Sequence, residues 1–151
     1  TFRDTIHELT DEGNLKVEYH LVTIIDGNLG GSGSLNAANA AACARDAGEF
    51  TAYHDVLYDN QPAETDDAFA DKDHLIQLAG KVEGLDDSTF RDCVRKGRHD
   101  GWVRRSNAAF LDSGYDATPT VLLNGEDVYA DAAEPLTPER LKQQVEDLAA
   151  G

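Results

Sequence analysis

Residues 118–125, with the sequence Thr-Pro-Thr-Val-Leu-Leu-Asn-Gly, constrain the fold of this chain more than any other segment. Because proline has no N–H to donate to a strand ladder, Pro119 is expected at the first position of a strand or on a sheet edge. Asn124-Gly125 tolerates positive φ at two successive positions, which predicts a tight hairpin into residues 127–129. The cis isomer of an X-Pro bond lies only ~0.5–1 kcal/mol above the trans isomer, so these residues alone allow either isomer of the Thr118–Pro119 bond.

The charge of the chain restricts its partners. The 151 residues include 29 acidic and 13 basic side chains, a net charge of −16, which argues against binding to nucleic acid or to an anionic membrane surface. No apolar run approaches the ~20 residues of a membrane-spanning helix. The length is typical of one domain with a substantial core. Since the sequence begins at Thr1 without an initiator methionine or a signal peptide, we expect it to be a piece of a longer protein.

Apolar spacing and helix-capping residues predict a mostly helical chain with a small sheet. A strand is predicted over Lys16–Ile25, where apolar and polar side chains alternate, followed by a glycine-rich loop over Asp26–Ser34. Ser34 is expected to cap the next helix. The last helix is expected to bury a stripe of Leu141, Val145 and Leu148. Helices are predicted over residues 2–12, 35–48, 50–58, 72–82, 88–96, 101–111 and 137–148.

The order of these elements predicts how the chain is organised. No linker or internal repeat divides it, so we predict a single domain over residues 1–151. The helices of residues 34–114 are expected to form one lobe that is inserted into a small α/β core. That core would consist of residues 1–33 and 115–151.

The chain has two cysteines, Cys43 and Cys93, which lie 50 positions apart and therefore cannot form a Cys-x-x-Cys redox pair. Each lies in a predicted helix with apolar neighbours. Free cysteine is often buried, so the residues themselves allow either two separate buried thiols or a disulfide between the two helices.

Three segments, in this order, resemble the DsbA-like thiol–disulfide oxidoreductases of bacterial cell envelopes, which have a thioredoxin fold with a helical insertion. Residues 15–20 (Leu-Lys-Val-Glu-Tyr-His) are similar to the second core strand of that family. Residues 40–44 (Ala-Ala-Ala-Cys-Ala), together with residues 50–62, resemble its helical insertion. Residues 114–121 (Gly-Tyr-Asp-Ala-Thr-Pro-Thr-Val) resemble the loop that carries its cis proline.

The resemblance implies an α/β fold: a thioredoxin-like sheet with an inserted helical lobe. It implies a cis bond before Pro119, and it makes Thr118 and Pro119 the substrate-binding residues, with the Thr118 backbone pairing to an extended peptide. For an exported family with an even cysteine count, it also favours a structural disulfide between Cys43 and Cys93.

The chain departs from the family at its beginning. The reactive Cys-x-x-Cys of the family follows the first core strand, at the start of the first core helix, whereas this sequence opens at Thr1 within what resembles that helix. No catalytic residue is therefore expected within the 151 residues. The strand and the motif are expected upstream, and the alternative is a truncated form without redox chemistry. In the family's sheet that strand lies between those matching residues 16–22 and 119–124. Because neighbouring strands lie ~4.8 Å apart, its loss would leave a gap of about 10 Å.

By resemblance, the whole protein exchanges disulfides with thiol-containing polypeptide substrates and with an unidentified redox partner protein. It would act outside the cytoplasm, either secreted, periplasmic or anchored to the outer face of the cell membrane. No cofactor or metal is expected, because the histidines lack metal-ligand spacing and because Asn36 follows Gly31-x-Gly33 where a dinucleotide fingerprint has its third glycine. Two alternatives stay open: a non-redox thioredoxin-like module that binds a peptide or partner, and a glutathione-dependent isomerase or transferase on the same fold.

Overall fold

Eight α-helices and one two-stranded hairpin make up the α and β structure of the described residues, 2–130 and 133–150, in the computed structural model. A 3-10 turn, Ala68–Ala70, lies between α4 and α5. The sequence was expected to begin, at Thr1, inside the first core helix of the family; Thr1 lies outside the described residues. The elements are α1 (Arg3–Asp11), α2 (Ile24–Leu29), α3 (Gly33–Asp46), α4 (Phe50–Asp59), α5 (Lys72–Ala79), α6 (Ser88–Lys96), α7 (Asp100–Asp112), β1 (Leu122–Leu123), β2 (Glu126–Asp127) and α8 (Pro138–Ala150).

The elements group into two units, residues 1–19 with 115–151 and residues 20–114. The division of a single domain into a core of residues 1–33 and 115–151 and an insertion of residues 34–114 stays a prediction. Within the described ranges, no helix combines the length and the hydropathy that a membrane span requires.

The first unit packs α1 against α8 and the hairpin. Its buried side chains are those of Leu9, Leu136, Leu141 and Val145. The hydroxyl of Thr137 accepts a hydrogen bond from the Arg140 N–H at 3.2 Å and so caps the last helix. The prediction that Leu148 belongs to the buried stripe is wrong, because its side chain is 54% exposed.

The hairpin forms at the predicted turn. Asn124 and Gly125 have φ angles of 49° and 91°, both in the left-handed region that a two-residue turn of this kind requires. The ladder pairs Leu122 with Asp127 and Leu123 with Glu126, and a further bond joins the Val128 N–H to the Val121 carbonyl at 2.9 Å. The predicted hairpin is therefore confirmed, although its strands are only two residues long.

The prediction of a strand over Lys16–Ile25 is wrong. Residues 15–23 have no regular secondary structure, and α2 occupies positions 24–29, where the end of the strand and a loop were expected. The alternation that suggested the strand is nevertheless present, since Leu15, Val17 and Tyr19 are half-buried while the residues between them are exposed. Alternation specifies which face of an extended segment is buried, but a strand also requires a hydrogen-bonded neighbour.

The second unit is built around α3, which contacts α4, α5, α6, α7 and the 3-10 turn. This helix can be central because its side chains are small: five of its alanines are buried, and they let neighbouring helices approach closely. Larger side chains from the surrounding helices and from the connection between α5 and α6 fill the remaining space. They include Tyr53, Leu75, Leu85, Phe90 and Val94, each at most 2% exposed.

The N-terminus of α3 is capped by two aspartates from outside the helix. Asp67 accepts hydrogen bonds from the N–H groups of Ser32 and Gly33 at 3.1 and 2.8 Å. Asp26 accepts from the next two N–H groups, those of Ser34 and Leu35, at 2.9 Å each. The prediction that Ser34 caps this helix is wrong, because the helix begins at Gly33, two residues earlier than predicted, and its free N–H groups are satisfied by these carboxylates.

Replacing Asp67 with alanine is expected to lower the free energy of unfolding by about 1–2 kcal/mol, because two N–H groups at a helix end lose a charged acceptor. Urea denaturation followed by circular dichroism measures the change. Asp66→Ala is the matched control, since it removes an exposed carboxylate of the same charge that makes no bond to α3 in the described chain. Equal losses in the two variants would contradict the capping role.

Candidate functional site

The loop before the hairpin presents Thr118 and Pro119 to solvent. Both residues are exposed, and the peptide bond between them is cis, the isomer that the sequence resemblance implies. The hydroxyl of Thr120 donates a hydrogen bond to the Ala117 carbonyl at 2.7 Å, which links the residues on either side of Thr118 and Pro119. Within residues 2–130 and 133–150, neither the N–H nor the carbonyl of Thr118 has a hydrogen-bond partner.

The strand that follows this loop has an open edge. β1 pairs with β2 on one side, and the sheet has two strands in the part of the chain that the structure describes. An unpaired strand edge offers a row of N–H and carbonyl groups to another extended chain. Leu122, which is 45% exposed, lies on this strand.

Residues 15–19 form a second extended segment of the same unit. Among the described residues, no backbone hydrogen bond joins this segment to residues 119–124. A direct pairing of the two segments would contradict the resemblance, which requires another strand between them. The described chain thus contains two extended segments of one unit that are not neighbours in a ladder.

Cys43 of α3 and Cys93 of α6 form a disulfide with a Cα–Cα distance of 5.9 Å. Both residues are buried, at 2% and 5% exposed. The structure thereby joins the two cysteines that the resemblance paired. They lie in the second unit, whereas Thr118 and Pro119 lie in the first.

Three side chains on one face of α3 link this helix to the segment that follows Cys93. Asn39, Cys43 and Asp46 are spaced by four and three positions, so they lie on the same face. The fully buried Asn39 amide accepts a hydrogen bond from the His99 N–H at 2.8 Å and donates a long one, 3.4 Å, to the Val94 carbonyl. Asp46 accepts from the His99 ring, with 2.6 Å between Oδ2 and Nε2.

His99 is brought to the disulfide by a turn after α6. Gly97 ends this helix with a φ of 59°, in the left-handed region, and the Arg98 N–H bonds back to the Cys93 carbonyl at 3.2 Å. A ring nitrogen of His99 and the two sulfur atoms all lie within 4.8 Å of one another. Burial raises the pKa of Asp46, but hydrogen bonds from His99 and Arg45 outweigh it, so the pKa is lowered overall.

His99 and Asp46 were missed by the sequence analysis. Asp46 follows Cys43 by three positions on a predicted helix, which is a signal for a shared face. No comparable signal exists for His99, because its position depends on the turn at Gly97 and on a contact with Asn39, 60 positions away.

Comparison with known proteins places the chain in a class. A family model described as thioredoxin matches residues 2–147, so the chain belongs to the thioredoxin family. Its fold is a thioredoxin fold with mostly helical content and a small sheet, which confirms the predicted fold class. A comparison with curated protein sequences returned no match.

Two solved structures are similar over nearly the whole chain. One is the reduced form of the disulfide bond oxidoreductase DsbG from Mycobacterium tuberculosis, with 28% identity and a TM-score of 0.78, covering 99% of this chain and 69% of that one. The other is reduced DsbA from the same organism, with 26% identity and a TM-score of 0.77, covering 99% and 73%. The resemblance to DsbA-like oxidoreductases is thereby confirmed.

Proposed function

We propose that this chain is part of an extracytoplasmic thiol–disulfide oxidoreductase whose reactive Cys-x-x-Cys lies in sequence preceding residue 1. The observation that carries the proposal is the likeness to the oxidoreductase DsbG over 99% of the chain, at 28% identity and a TM-score of 0.78. Cys43 and Cys93, the two cysteines of the chain, are bonded to each other and buried, so they do not supply the pair that meets a substrate.

The chemistry is disulfide exchange. A thiolate at the N-terminus of a helix is stabilised by the free N–H groups and the dipole of that helix. It attacks a sulfur of a substrate disulfide, or a substrate thiolate attacks the disulfide of the enzyme, and each reaction forms a mixed disulfide and releases one thiolate. The mixed disulfide is then resolved by attack of a second thiolate, which comes from the second cysteine of the pair or from the second substrate thiol according to the direction of exchange. No external cofactor is needed.

Thr118 and Pro119 are the substrate-binding residues in this proposal. Thr118 is exposed, and within the described residues its N–H and carbonyl have no hydrogen-bond partner. An extended polypeptide substrate is expected to pair with these groups by strand addition, which takes polypeptides of many sequences because it uses their main chain.

The disulfide between Cys43 and Cys93 supports a location outside the cytoplasm. Such bonds form and persist in oxidising compartments and are rare in the cytosol, where thiols are kept reduced. The same bond counts against the cytoplasmic glutathione-dependent alternative. The redox partner of this enzyme would be a second protein that restores the oxidation state of the reactive pair.

The test uses the full-length protein, including the residues before residue 1, in the oxidation of a reduced, unfolded protein substrate. Thr118→Trp is expected to lower kcat/KM about tenfold, because a bulky side chain obstructs one or two backbone hydrogen bonds worth about 0.5–1.5 kcal/mol each. Thr51→Trp is the matched control, as Thr51 is an exposed threonine on α4 of the second unit, and its activity is expected to be unchanged.

Two results separate the parts of the proposal. Full activity in Thr118→Trp removes the substrate-binding role of this loop but leaves the oxidoreductase assignment. A full-length protein that binds unfolded polypeptides without oxidising, reducing or isomerising their disulfides overturns the enzyme assignment, and the non-redox binding module then replaces it.

A further inference from the structure

We propose that Cys43, Cys93 and His99 form a zinc-binding site in the dithiol form of this protein, and that the disulfide closes this site. Two cysteine thiolates and one histidine are a ligand set that Zn²⁺ takes in proteins, with water or an outside group in the fourth position. The inference concerns the second unit and does not rest on the proposed oxidoreductase function.

The geometry suits a single metal ion. A ring nitrogen of His99 and both sulfur atoms already lie within 4.8 Å of one another. Tetrahedral zinc has Zn–S bonds of about 2.3 Å and Zn–N bonds of about 2.0–2.1 Å, so its two sulfur ligands lie about 3.8 Å apart. Cleavage of the S–S bond frees the two sulfurs to separate to that distance by rotation of their side chains. The Cα atoms of the two cysteines can stay at their present separation of 5.9 Å.

The histidine ligand is held in place by groups that do not touch the metal. The Asp46 carboxylate bonds to the imidazole at 2.6 Å, and the Asn39 carbonyl oxygen bonds to the His99 backbone N–H at 2.8 Å. A carboxylate behind a histidine ligand orients the ring and raises its basicity as a ligand. Asp46 is thus a positioning residue, and its contact with His99 has no evident part in the disulfide itself.

Charge and access are also compatible with zinc. Two thiolates neutralise the two positive charges of the ion, and the imidazole is neutral. The complex therefore has no net charge, which avoids the cost of burying one. The cysteines are buried, whereas the His99 side chain is 21% exposed, so the histidine end of the site lies at the protein surface.

The redox step balances with a dithiol reductant. The reductant gives two electrons and two protons to the Cys43–Cys93 bond and becomes a disulfide, leaving two thiols in the protein. Zinc then displaces the two thiol protons, which pass to solvent. In the reverse step a disulfide oxidant takes two electrons from the two thiolates and two protons from solvent and becomes a dithiol, while the Cys43–Cys93 bond re-forms and the ion is released. The ion and the disulfide therefore exclude each other.

The test titrates the 151-residue chain, whose two cysteines are the proposed ligands, with Co²⁺ as a spectroscopic substitute for zinc. The protein is reduced with a phosphine, and zinc is then added in competition. We expect one equivalent of Co²⁺ to give a sulfur-to-cobalt charge-transfer band that zinc abolishes. The disulfide form is expected to give no such band, although its many surface carboxylates bind cations weakly.

Variants identify the ligands. Cys93→Ser and His99→Ala are expected to lose the one-to-one complex, and Asp46→Ala to weaken it roughly 10- to 100-fold. His20→Ala is the control, since His20 is an exposed histidine outside the site, and it should bind as the parent does. Unchanged cobalt affinity in His99→Ala overturns the proposal.

Folding of the reduced chain is followed in the same samples by circular dichroism. If the reduced chain stays folded, zinc is expected to raise its melting temperature; if it unfolds, zinc is expected to restore its helical signal. The proposal is overturned if reduced protein gives no thiolate band with Co²⁺ and zinc produces no gain of stability or structure.

Discussion

Replacing both Cys43 and Cys93 with alanine is expected to lower the free energy of unfolding by about 4 kcal/mol. The disulfide closes a loop of 50 residues, and on the chain-entropy model a loop of this length stabilises the folded state by about that amount through its restriction of the unfolded chain. For a domain of this size, the loss corresponds to a melting temperature lower by about 10 °C. Urea denaturation at neutral pH, followed by circular dichroism, measures the free energy.

A reductant provides the control for this variant. Reduction is expected to lower the urea midpoint of the parent chain toward that of the double variant, and to leave the midpoint of the double variant unchanged, because that protein has no cysteine left. A double variant that unfolds at the urea concentration of the oxidised parent, with the same slope, would show that the bond contributes nothing to stability.

Replacing Tyr53 with alanine is expected to lower the free energy of unfolding by about 3–5 kcal/mol. Tyr53 is 0% exposed, its ring packs edge-on against Phe90 with centroids 5.4 Å apart, and its hydroxyl donates to the Leu75 carbonyl at 2.7 Å. The variant therefore creates a cavity between α4, α5 and α6 and also removes a buried hydrogen bond. Tyr53→Phe keeps the ring and is expected to cost about 1 kcal/mol, which separates the hydroxyl from the packing.

Tyr58→Ala is the matched control, because it makes the same substitution on the same helix at a side chain that is 62% exposed. Its free energy of unfolding is expected to change by no more than about 0.5 kcal/mol. Equal effects at positions 53 and 58 would contradict the assignment of Tyr53 to the core.

The ionisation of Tyr53 gives a second readout. Burial raises the pKa of its hydroxyl above the ordinary value, so the folded state keeps the proton at a pH where the unfolded chain has released it. The stability linked to this group is therefore complete below about pH 10 and is lost as the pH rises further, at about 1.4 kcal/mol per unit. Denaturation at rising pH is expected to show this loss in the parent chain and a smaller one in Tyr53→Phe.

The bounds of α6 and the hairpin could be predicted because their signals are local. The predicted bounds of α6, Ser88–Lys96, match the structure, since Asp87 accepts a hydrogen bond from the Phe90 N–H at its start and Gly97 adopts positive φ at its end. Asn124-Gly125 similarly determines the turn through the φ angles that these two residues tolerate.

The strand over Lys16–Ile25 could not be predicted correctly, because alternation of side chains does not reveal whether a neighbouring strand is available. Residues 15–20 keep the alternation of half-buried and exposed side chains, residues 21–23 have no regular secondary structure, and the last two residues of the predicted strand belong to α2 instead. Likewise, Ser34 had the composition of a cap, but Asp26 and Asp67 reached the end of the helix from elsewhere in the chain.

By itself, the sequence determined seven of the eight helices of the described residues, the hairpin turn and the thioredoxin family, because each depends on residues that are close together or on short sequence motifs in a given order. Only the tertiary structure decided that His99 and Asp46 lie beside the disulfide, that Asp67 caps α3 from 34 positions away, and that residues 15–19 lack a ladder with the hairpin. The physical reason is that these contacts join residues from tens of positions apart, where packing and hydrogen bonding select partners that local preference does not specify.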